Sequence, residues 1–302
     1  MPPAEGRTTA EVKVVDVSPH GLRGYISSFV VIDEKVAVID PGPESAYDRL
    51  REALEGMGVR PDYVIATHVH LDHAGAAAHL LRDFPGAVAY AHPRGVAHII
   101  DPSKLYEASM RVAPILPQAY GRPLAADPSR VLAASDGQVI SLGNSALRVV
   151  HTPGHASHHM SLLLEPDGVL FTGDSAGVIF RFGGREIPMP TTPAPFKPKM
   201  YLESIRKMEA LSPRSFAPTH FGIYDDAAAR LEFAAAQVVN WLNALAGVRG
   251  GDLSEAIRAV QAVDRHVDYL LSLQDVERFA VEAFLSTTIY GLLDAIRSGE
   301  WP

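Results

Sequence analysis

The sequence predicts a layered α/β protein with sheets packed between helices, and three observations predict it. Short apolar runs rich in β-branched and aromatic residues recur through the first two thirds, closed by Gly, Pro, Asp or Asn. Segments of helical pattern lie between them. Beyond Tyr224 the strand signals stop and the pattern is strongly helical.

The candidate strands are Val12–Val17, Ser28–Ile32, Val36–Ile39, Tyr63–Ala66, Ala87–Ala91, Leu147–Val150, Met160–Leu164 and Val169–Phe171. Helical segments at Glu44–Glu55, Ala74–Asp83 and Met200–Leu211 alternate with them, so hairpin-like pairs and strand–helix units share one architecture. From about Pro93 to Arg130 the rhythm breaks. Pro102, Pro114, Pro117, Pro123 and Pro128 punctuate helical fragments there, as an insert or cap would require. The stretch RFGGREIPMPTTPAPFKP (181–198) reads as a long irregular loop of the functional or mobile kind. After it, Asp225 and Asp226 favour a helix start, and Gly247 and Gly299 suit helix ends. The expected organisation is a main domain over 1–223, with an irregular or helical insert at about 93–130, and a helical extension over 224–302. The segment FAVEAFLSTTIYGLLDAI is apolar on more than one face and must be buried against something, either over a site or in a dimer interface.

Composition narrows the function. At 47% hydrophobic and 21% charged, the chain is ordinary globular protein. It has no apolar run of about 18 residues, and MPPAEGRTTAE lacks the basic and apolar regions of a secretory signal, so a cytoplasmic protein with no membrane partner is expected. There is no cysteine, which excludes disulfides, thiolate metal sites and a cysteine nucleophile. Any metal must be held by His, Asp and Glu, a set that suits zinc, iron or manganese. A formal charge of −8 argues against nucleic acid as a partner. The lack of cysteine and the presence of only Asn144, Asn240 and Asn243 fit a thermophile, although a GC-rich genome would also enrich proline and alanine.

The densest chemistry is His68-x-His70-x-Asp72-His73, between an apolar strand and an apolar helix. Alternate positions on extended chain face the same way, so His68 and His70 can meet one metal. Asp72 and His73 sit where the chain bends and can face a second point nearby. The alternative is a polar loop whose histidines cap the next helix. Three later strand ends add His155 in HTPGHASHH, Asp174 in LFTGDS and His220 in APTHFG. Strand ends converge on one rim of a layered α/β fold, where sites form.

With these motifs the chain resembles the metallo-β-lactamase-fold hydrolases, in the branch similar to glyoxalase II (hydroxyacylglutathione hydrolase), over about residues 12–222. The resemblance rests on THVHLDH, the TPGH turn, the FTGD strand end and PTHFG. It implies a four-layer αββα sandwich with a C-terminal helical extension. It also implies two metals, the first held by His68, His70 and His155 and the second by Asp72, His73 and His220, with Asp174 bridging. Asp40 matches an acid behind the ligands, where it would orient a histidine; the alternative is an Asp serving the turn before Pro41-Gly42. His159 matches a position that packs beside the site. His20, His79, His92, His98, His151 and His266 have no ligand geometry to argue.

Two divalent ions about 3.5–4 Å apart share a water and lower its pKa toward neutrality. The expected enzyme is a dinuclear hydrolase, zinc first and iron or manganese next, in which a bridging hydroxide attacks the substrate. Asp72 and Asp174 are the catalytic carboxylates, and Asp72 either accepts the proton or orients the hydroxide. Expected substrates are small esters, thioesters, lactones and phosphoesters, including lactonase and phosphotriesterase chemistry. Glutathione is disfavoured, because GDSAGVIFRFGG carries no cysteine and a different pattern from that branch. An apolar mouth of Tyr25, Phe29, Tyr106, Tyr120, Phe180, Phe196 and Tyr224 is expected, against the alternative that each is core. Rival readings are a phosphodiesterase or nuclease of the same fold, a mononuclear-iron persulfide dioxygenase, and a scaffold with a structural metal. The expected partner is a small-molecule substrate, with a homodimer formed through the C-terminal helices or the insert.

Overall fold

Most strand residues of this chain are buried on both faces, which is why the strands read as unbroken apolar runs. In the computed structural model, which describes residues 10–19, 21–112, 115–248 and 250–302, strands β1 (Glu11–Asp16) to β6 form a six-stranded sheet in chain order. His20, Pro114 and the N-terminal stretch through Thr9 lie outside the described residues. Strands β1, β2 (Ser27–Ile32) and β3 (Val36–Ile39) pair antiparallel. Strands β4 (Tyr63–Ile65), β5 (Val88–Ala91) and β6 (Val131–Ala133) continue from β3 in parallel. A second sheet runs β7 (Val139–Ser141), β8 (Ala146–His151), β9 (Met160–Glu165) and β10 (Val169–Gly173), antiparallel throughout, and closes with β13 (Ser215–Pro218) parallel to β10.

The two-residue period of a strand separates two cores. Phe29 and Val31 of β2, Ala37 and Ile39 of β3, Leu162 and Leu164 of β9 and Phe171 of β10 meet between the sheets. Phe29 and Phe171 close that core with ring centroids 5.1 Å apart. The intervening residues, Val30, Val38, Leu163 and Leu170, join the second core with the helices. There α1 (Tyr47–Met57) contributes Leu50 and Leu54, and α7 (Pro198–Ala210) contributes Ile205 and Met208. Two sheets covered by helices are the layers the sequence predicts, and these layers form the four-layer sandwich.

The elements differ from expectation in three places. The stretch 181–198 is not a plain loop: it opens with an antiparallel hairpin, β11 (Val178–Phe182) against β12 (Arg185–Met189). Its two-residue turn is Gly183-Gly184, with φ 54 and 75, the positive pair a type I′ turn demands. Strands β6 and β7 carry no strand signal in the sequence because they are three-residue edge strands, with Leu132 and Val139 more than a third exposed. The helix expected over Ala74–Asp83 is split into α2 (Leu71–Ala74) and α3 (Ala77–Asp83).

Helices α4 (Val96–Ile100), α5 (Ser103–Val112) and α6 (Ile115–Tyr120) occupy the proline-punctuated segment. After β13 come α8 (Ala227–Ala246), α9 (Leu253–Val263), α10 (His266–Ser272) and α11 (Asp275–Arg297). Leu285, Ile289, Leu292, Leu293 and Ile296 of α11 are buried in the helical core. Among the described residues no helix is long and apolar enough to cross a membrane.

Candidate metal centre

Five strands end at one rim. Strands β3 and β4 are parallel, as are β10 and β13, and β8 runs with β10 because both oppose β9. The residues just past their C-terminal ends are Asp40, the 66–73 turn, the 152–159 turn, Asp174, and Thr219-His220. Chain direction alone thus brings side chains distant in sequence to one place.

Three nitrogens meet there. His70 Nδ1 lies 2.9 Å from His68 Nε2 and 3.1 Å from His155 Nε2. Alongside, His73 Nε2 is 3.3 Å from Asp174 Oδ1, His155 Nε2 is 3.5 Å from Asp174 Oδ2, and His220 Nε2 is 3.5 Å from Asp72 Oδ2. Three sets have ligand atoms within 4.8 Å of one another: His68, His70 and His155; His68, His73 and Asp174; Asp72, His73 and His220. The first and third are the two sets the resemblance implies, and Asp174 stands between them.

Hydrogen bonds on the far side of each ring fix which nitrogen is free. Thr67 Oγ1 donates to Asp40 Oδ2 at 2.8 Å, so it accepts from His68 Nδ1 at 3.2 Å. His155 Nδ1 donates to the Thr191 carbonyl at 2.9 Å, and His220 Nδ1 to the Tyr25 carbonyl at 2.7 Å. His73 Nδ1 donates to Asp40 Oδ2 at 2.9 Å. All four rings therefore turn Nε2 inward, the nitrogen a metal would take. Burial, and then the neighbouring His73, His70 and His155, hold His68 well below the ordinary imidazole pKa. Burial and His155 do the same to His70, so both present lone pairs.

Asp40 lies behind this arrangement and is fully buried. Its Oδ1 accepts from the Thr67 amide at 2.7 Å, and its Oδ2 also accepts from Thr219 Oγ1 at 2.5 Å. Its backbone has φ 49, a left-handed conformation that Asp tolerates better than most residues. His159 has no free nitrogen: Nε2 accepts the Asp174 amide at 3.0 Å and Nδ1 faces Thr152 Oγ1 at 2.9 Å. It fixes the backbone of a candidate ligand and is not one itself. Gly173 lets this happen, because a Cβ there would lie 2.5 Å from Thr67 Oγ1 and 2.6 Å from His159 Nε2.

His73 Nε2, Asp174 Oδ1 and His220 Nε2 are buried without a hydrogen-bond partner. Orphaned atoms of this kind are costly unless something binds them. Imidazole nitrogens and carboxylate oxygens converging in this way fit divalent cations, with an all His and Asp donor set. Burial opposes charge on Asp174, yet His73 and His155 beside it hold its carboxyl well below the usual range.

The cluster forms one end of a cavity of about 290 Å³. His70, Asp72, His155 and Asp174 line it, and its walls are Leu105 and Ala108 of α5, Leu116 and Tyr120 of α6, and Phe284, Thr287 and Thr288 of α11. Of the seven aromatics expected at the mouth, Tyr120 lines this cavity, and Tyr25 sits behind it with its hydroxyl 3.2 Å from that of Tyr120. The others are placed differently. Phe29 packs between the sheets, Phe180 stacks on Tyr25, Phe196 packs on Tyr201, Tyr106 faces Arg122, and Tyr224 lies under Arg230. Apolar side chains on strands and beside the sheets find core before they find a mouth.

The cavity walls on α5, α6 and α11 carry no sequence signal that separates them from other helix faces. Thr67 and Thr219 were missed although each directly precedes a site histidine, a repeated Thr-His pair that could have revealed them. Of the histidines without ligand geometry, His79 packs on Tyr47, His92 on His151, His98 beside His158, and His266 bonds Asp264.

Comparison with known proteins agrees with this geometry. The chain is 34% identical over 165 residues to the metallo-beta-lactamase fold-containing protein ST1585 of Sulfurisphaera tokodaii, covering 54% of this chain and 61% of that one. It is 25% identical over 234 residues to an atrochrysone carboxyl ACP thioesterase of Aspergillus fumigatus, covering 76% of this chain and 45% of the relative. The chain thus spans less than two thirds of the length of these curated relatives. Among solved structures, ST1585 from Sulfolobus tokodaii superposes with a TM-score of 0.72 at 24% identity, over 93% of this chain and 97% of that one. The metallo-beta-lactamase family protein TTHA1429 of Thermus thermophilus gives 0.65 at 22%, over 95% and 93%. These likenesses establish the fold. The model of the metallo-beta-lactamase superfamily matches residues 21–220. A match over more than half the chain, falling on the same strand ends that gather the histidines and aspartates, makes this protein a member of the metallo-β-lactamase superfamily.

Proposed function

We propose that the protein is a hydrolase that uses two divalent cations to cleave small ester, thioester, lactone or phosphoester substrates. One observation carries the reading: buried imidazole nitrogens and carboxylate oxygens, three of these atoms orphaned, converge at the end of a cavity large enough for a small molecule. His68, His70 and His155 would hold one ion and Asp72, His73 and His220 the other, with Asp174 between. Bound there, the cations supply a water acidified toward neutrality and a Lewis acid for the substrate oxygen.

The chain's own residues prepare that chemistry. Thr67, Asp40, Thr191 and the Tyr25 carbonyl lock the ring orientations, so no reorganisation is needed when substrate arrives. Asp72 borders the cavity, and although burial opposes its charge, His73 and His220 lower its pKa to about 2. It is therefore ionised, and either accepts the proton of a water there or orients that water through a hydrogen bond. Leu105 and Ala108 of α5, Leu116 and Pro117 of α6 and Phe284 of α11 give these walls apolar surface that limits competing water. A thioesterase among the relatives supports hydrolysis of an acyl bond.

The test is metal content by mass spectrometry, paired with turnover of an ester, lactone, thioester and phosphodiester panel. Two equivalents of zinc, iron or manganese with hydrolysis are expected, and Asp174→Ala should abolish both full occupancy and turnover. One iron with oxygen consumption would overturn the reading in favour of a dioxygenase, and full turnover by Asp174→Ala would remove its centre.

A further inference from the structure

Two residues of the insert that belong to neither metal set, Ser109 and Tyr120, bring hydroxyls to the cavity lining, and Ser109 Oγ is satisfied by donating to the Leu105 carbonyl at 3.0 Å. Tyr120 ends α6, is 6% exposed, and lines the wall facing Asp72 and Asp174. Its hydroxyl lies 3.2 Å from that of Tyr25, which is 1% exposed. Two phenols share one hydrogen bond, so one O–H proton must go elsewhere. Tyr25 is enclosed by Phe180, with ring centroids 4.9 Å apart, and by the edge of His220 at 5.4 Å. Among the described residues its hydroxyl has Tyr120 as its hydrogen-bond partner. If Tyr120 donated to Tyr25, the Tyr25 proton would be buried with no acceptor, at the cost of an unmade hydrogen bond. The satisfied arrangement is Tyr25 donating to Tyr120, which leaves the Tyr120 proton aimed at whatever occupies the cavity. A phenol keeps its proton at neutral pH, so Tyr120 has one to donate.

The rest of the wall narrows the ligand. Leu105, Ala108, Leu116, Pro117 and Phe284 are apolar, the hydroxyls of Thr287 and Thr288 donate to the Ala283 and Pro190 carbonyls at 2.9 and 3.2 Å, and no Lys or Arg lines the cavity among the described residues. The wall beyond the cluster therefore offers a charged acyl chain no cationic partner among the described residues. At about 290 Å³ it lies near the small end of ligand pockets, roughly 300–1,000 Å³.

Resting on the hydrolase reading, we propose that Tyr120 donates a hydrogen bond to the acyl oxygen of an uncharged carboxylic ester or thioester, whose short apolar acyl chain lies between α5, α6 and α11. Tyr25 is a positioning residue that holds the Tyr120 oxygen.

Two measurements on the full chain test this. With metal-loaded protein, p-nitrophenyl butyrate and hexanoate should be cleaved in preference to bis(p-nitrophenyl) phosphate. Tyr120→Phe should lower kcat on the esters about a hundredfold, as loss of one oxyanion donor does, with metal content unchanged. Tyr25→Phe should lower kcat several-fold and leave KM unchanged, a split that a general loosening of the fold would not give. With chelated protein, hexanamide titrated by calorimetry should bind about tenfold more weakly to Tyr120→Phe, the order of one hydrogen bond. Unchanged hexanamide affinity in Tyr120→Phe overturns the donor, and preference for the phosphodiester overturns the acyl assignment. Hexanamide binding that depends on Tyr120, in a protein that cleaves no ester, would uphold the donor while removing the hydrolase reading.

Discussion

At the scale of single residues, the centre depends on side chains that never face the cavity. Asp40 is the clearest case. Its carboxylate accepts from the Thr67 amide, Thr67 Oγ1, Thr219 Oγ1 and His73 Nδ1, so every hydrogen bond it makes fixes a neighbour of the cluster or a member of it. Asp40→Asn replaces one acceptor oxygen with an NH₂ group. Whichever way the amide turns, a donor then meets a donor in a fully buried place. Affinity at the His73 side should fall about 10–100-fold, the usual consequence of losing a carboxylate behind a ligand histidine. Competition with a chromophoric chelator measures it, and wild-type affinity in a folded variant would show that His73 needs no support. The motif histidines and aspartates were legible in the sequence because their spacing repeats strand and turn geometry. Tyr120 was expected at the mouth by residue type alone. The hydroxyl pairing that sets its direction comes from two segments 95 positions apart, which no local pattern encodes.

At the scale of elements, α11 is docked on the loop that carries Thr191. Thr192 Oγ1 donates to the Thr288 carbonyl at 2.9 Å, and Thr288 Oγ1 donates to the Pro190 carbonyl at 3.2 Å. The contact is so close that a Cβ at Gly291 would overlap the Thr192 carbonyl oxygen. Gly291→Ala must therefore push the helix outward, and with it the cavity wall of Phe284, Thr287 and Thr288. Overpacking of this sort costs about 1–3 kcal/mol. The expected result is a lower unfolding midpoint and a raised KM, with metal content retained; unchanged values for all three would mean that α11 does not shape the site. The sequence announced that this helix had to be buried, since its apolar residues cover more than one face. It did not announce against what. The same limit explains the hairpin at 178–189. Gly183-Gly184 is a turn signal, but the flanking segments FRF and REIPM mix charge with apolar residues and weaken the strand pattern. The long central strands were readable because both their faces are buried. The three-residue edge strands were not, because a half-exposed triplet is too short to show a period.

At the scale of the whole molecule, the centre is shared between the two sheets. His68, His70, Asp72 and His73 follow β4 of the first, whereas His155, Asp174 and His220 follow β8, β10 and β13 of the second. Cations held by both groups would tie the two sheets together at this rim. Ligands that bind the folded chain alone stabilise it by mass action, about 4 kcal/mol at a thousandfold excess over Kd. For a chain of this size that corresponds to a rise in Tm on the order of 10 °C. The size of the rise depends on pH, and its sign follows from His73. Burial opposes charge on that ring, but Asp174, Asp40 and Asp72 raise its pKa well above the ordinary imidazole value in the absence of a cation. A raised folded-state pKa adds stability to the metal-free protein below the unfolded pKa, and that contribution is lost as pH climbs through the folded value. Metal must displace the same proton to reach Nε2. Raising the pH through the elevated pKa of His73 therefore weakens the metal-free fold and tightens metal binding together. Melting curves of chelated and zinc-loaded protein should diverge progressively as pH rises from the ordinary imidazole range into the alkaline range. Calorimetric zinc titrations near neutrality should release a proton, read from the dependence of the heat on buffer ionisation enthalpy. A constant gap between the curves, with no proton released, would mean that His73 is already neutral without metal and that the surrounding carboxylates do not hold its charge.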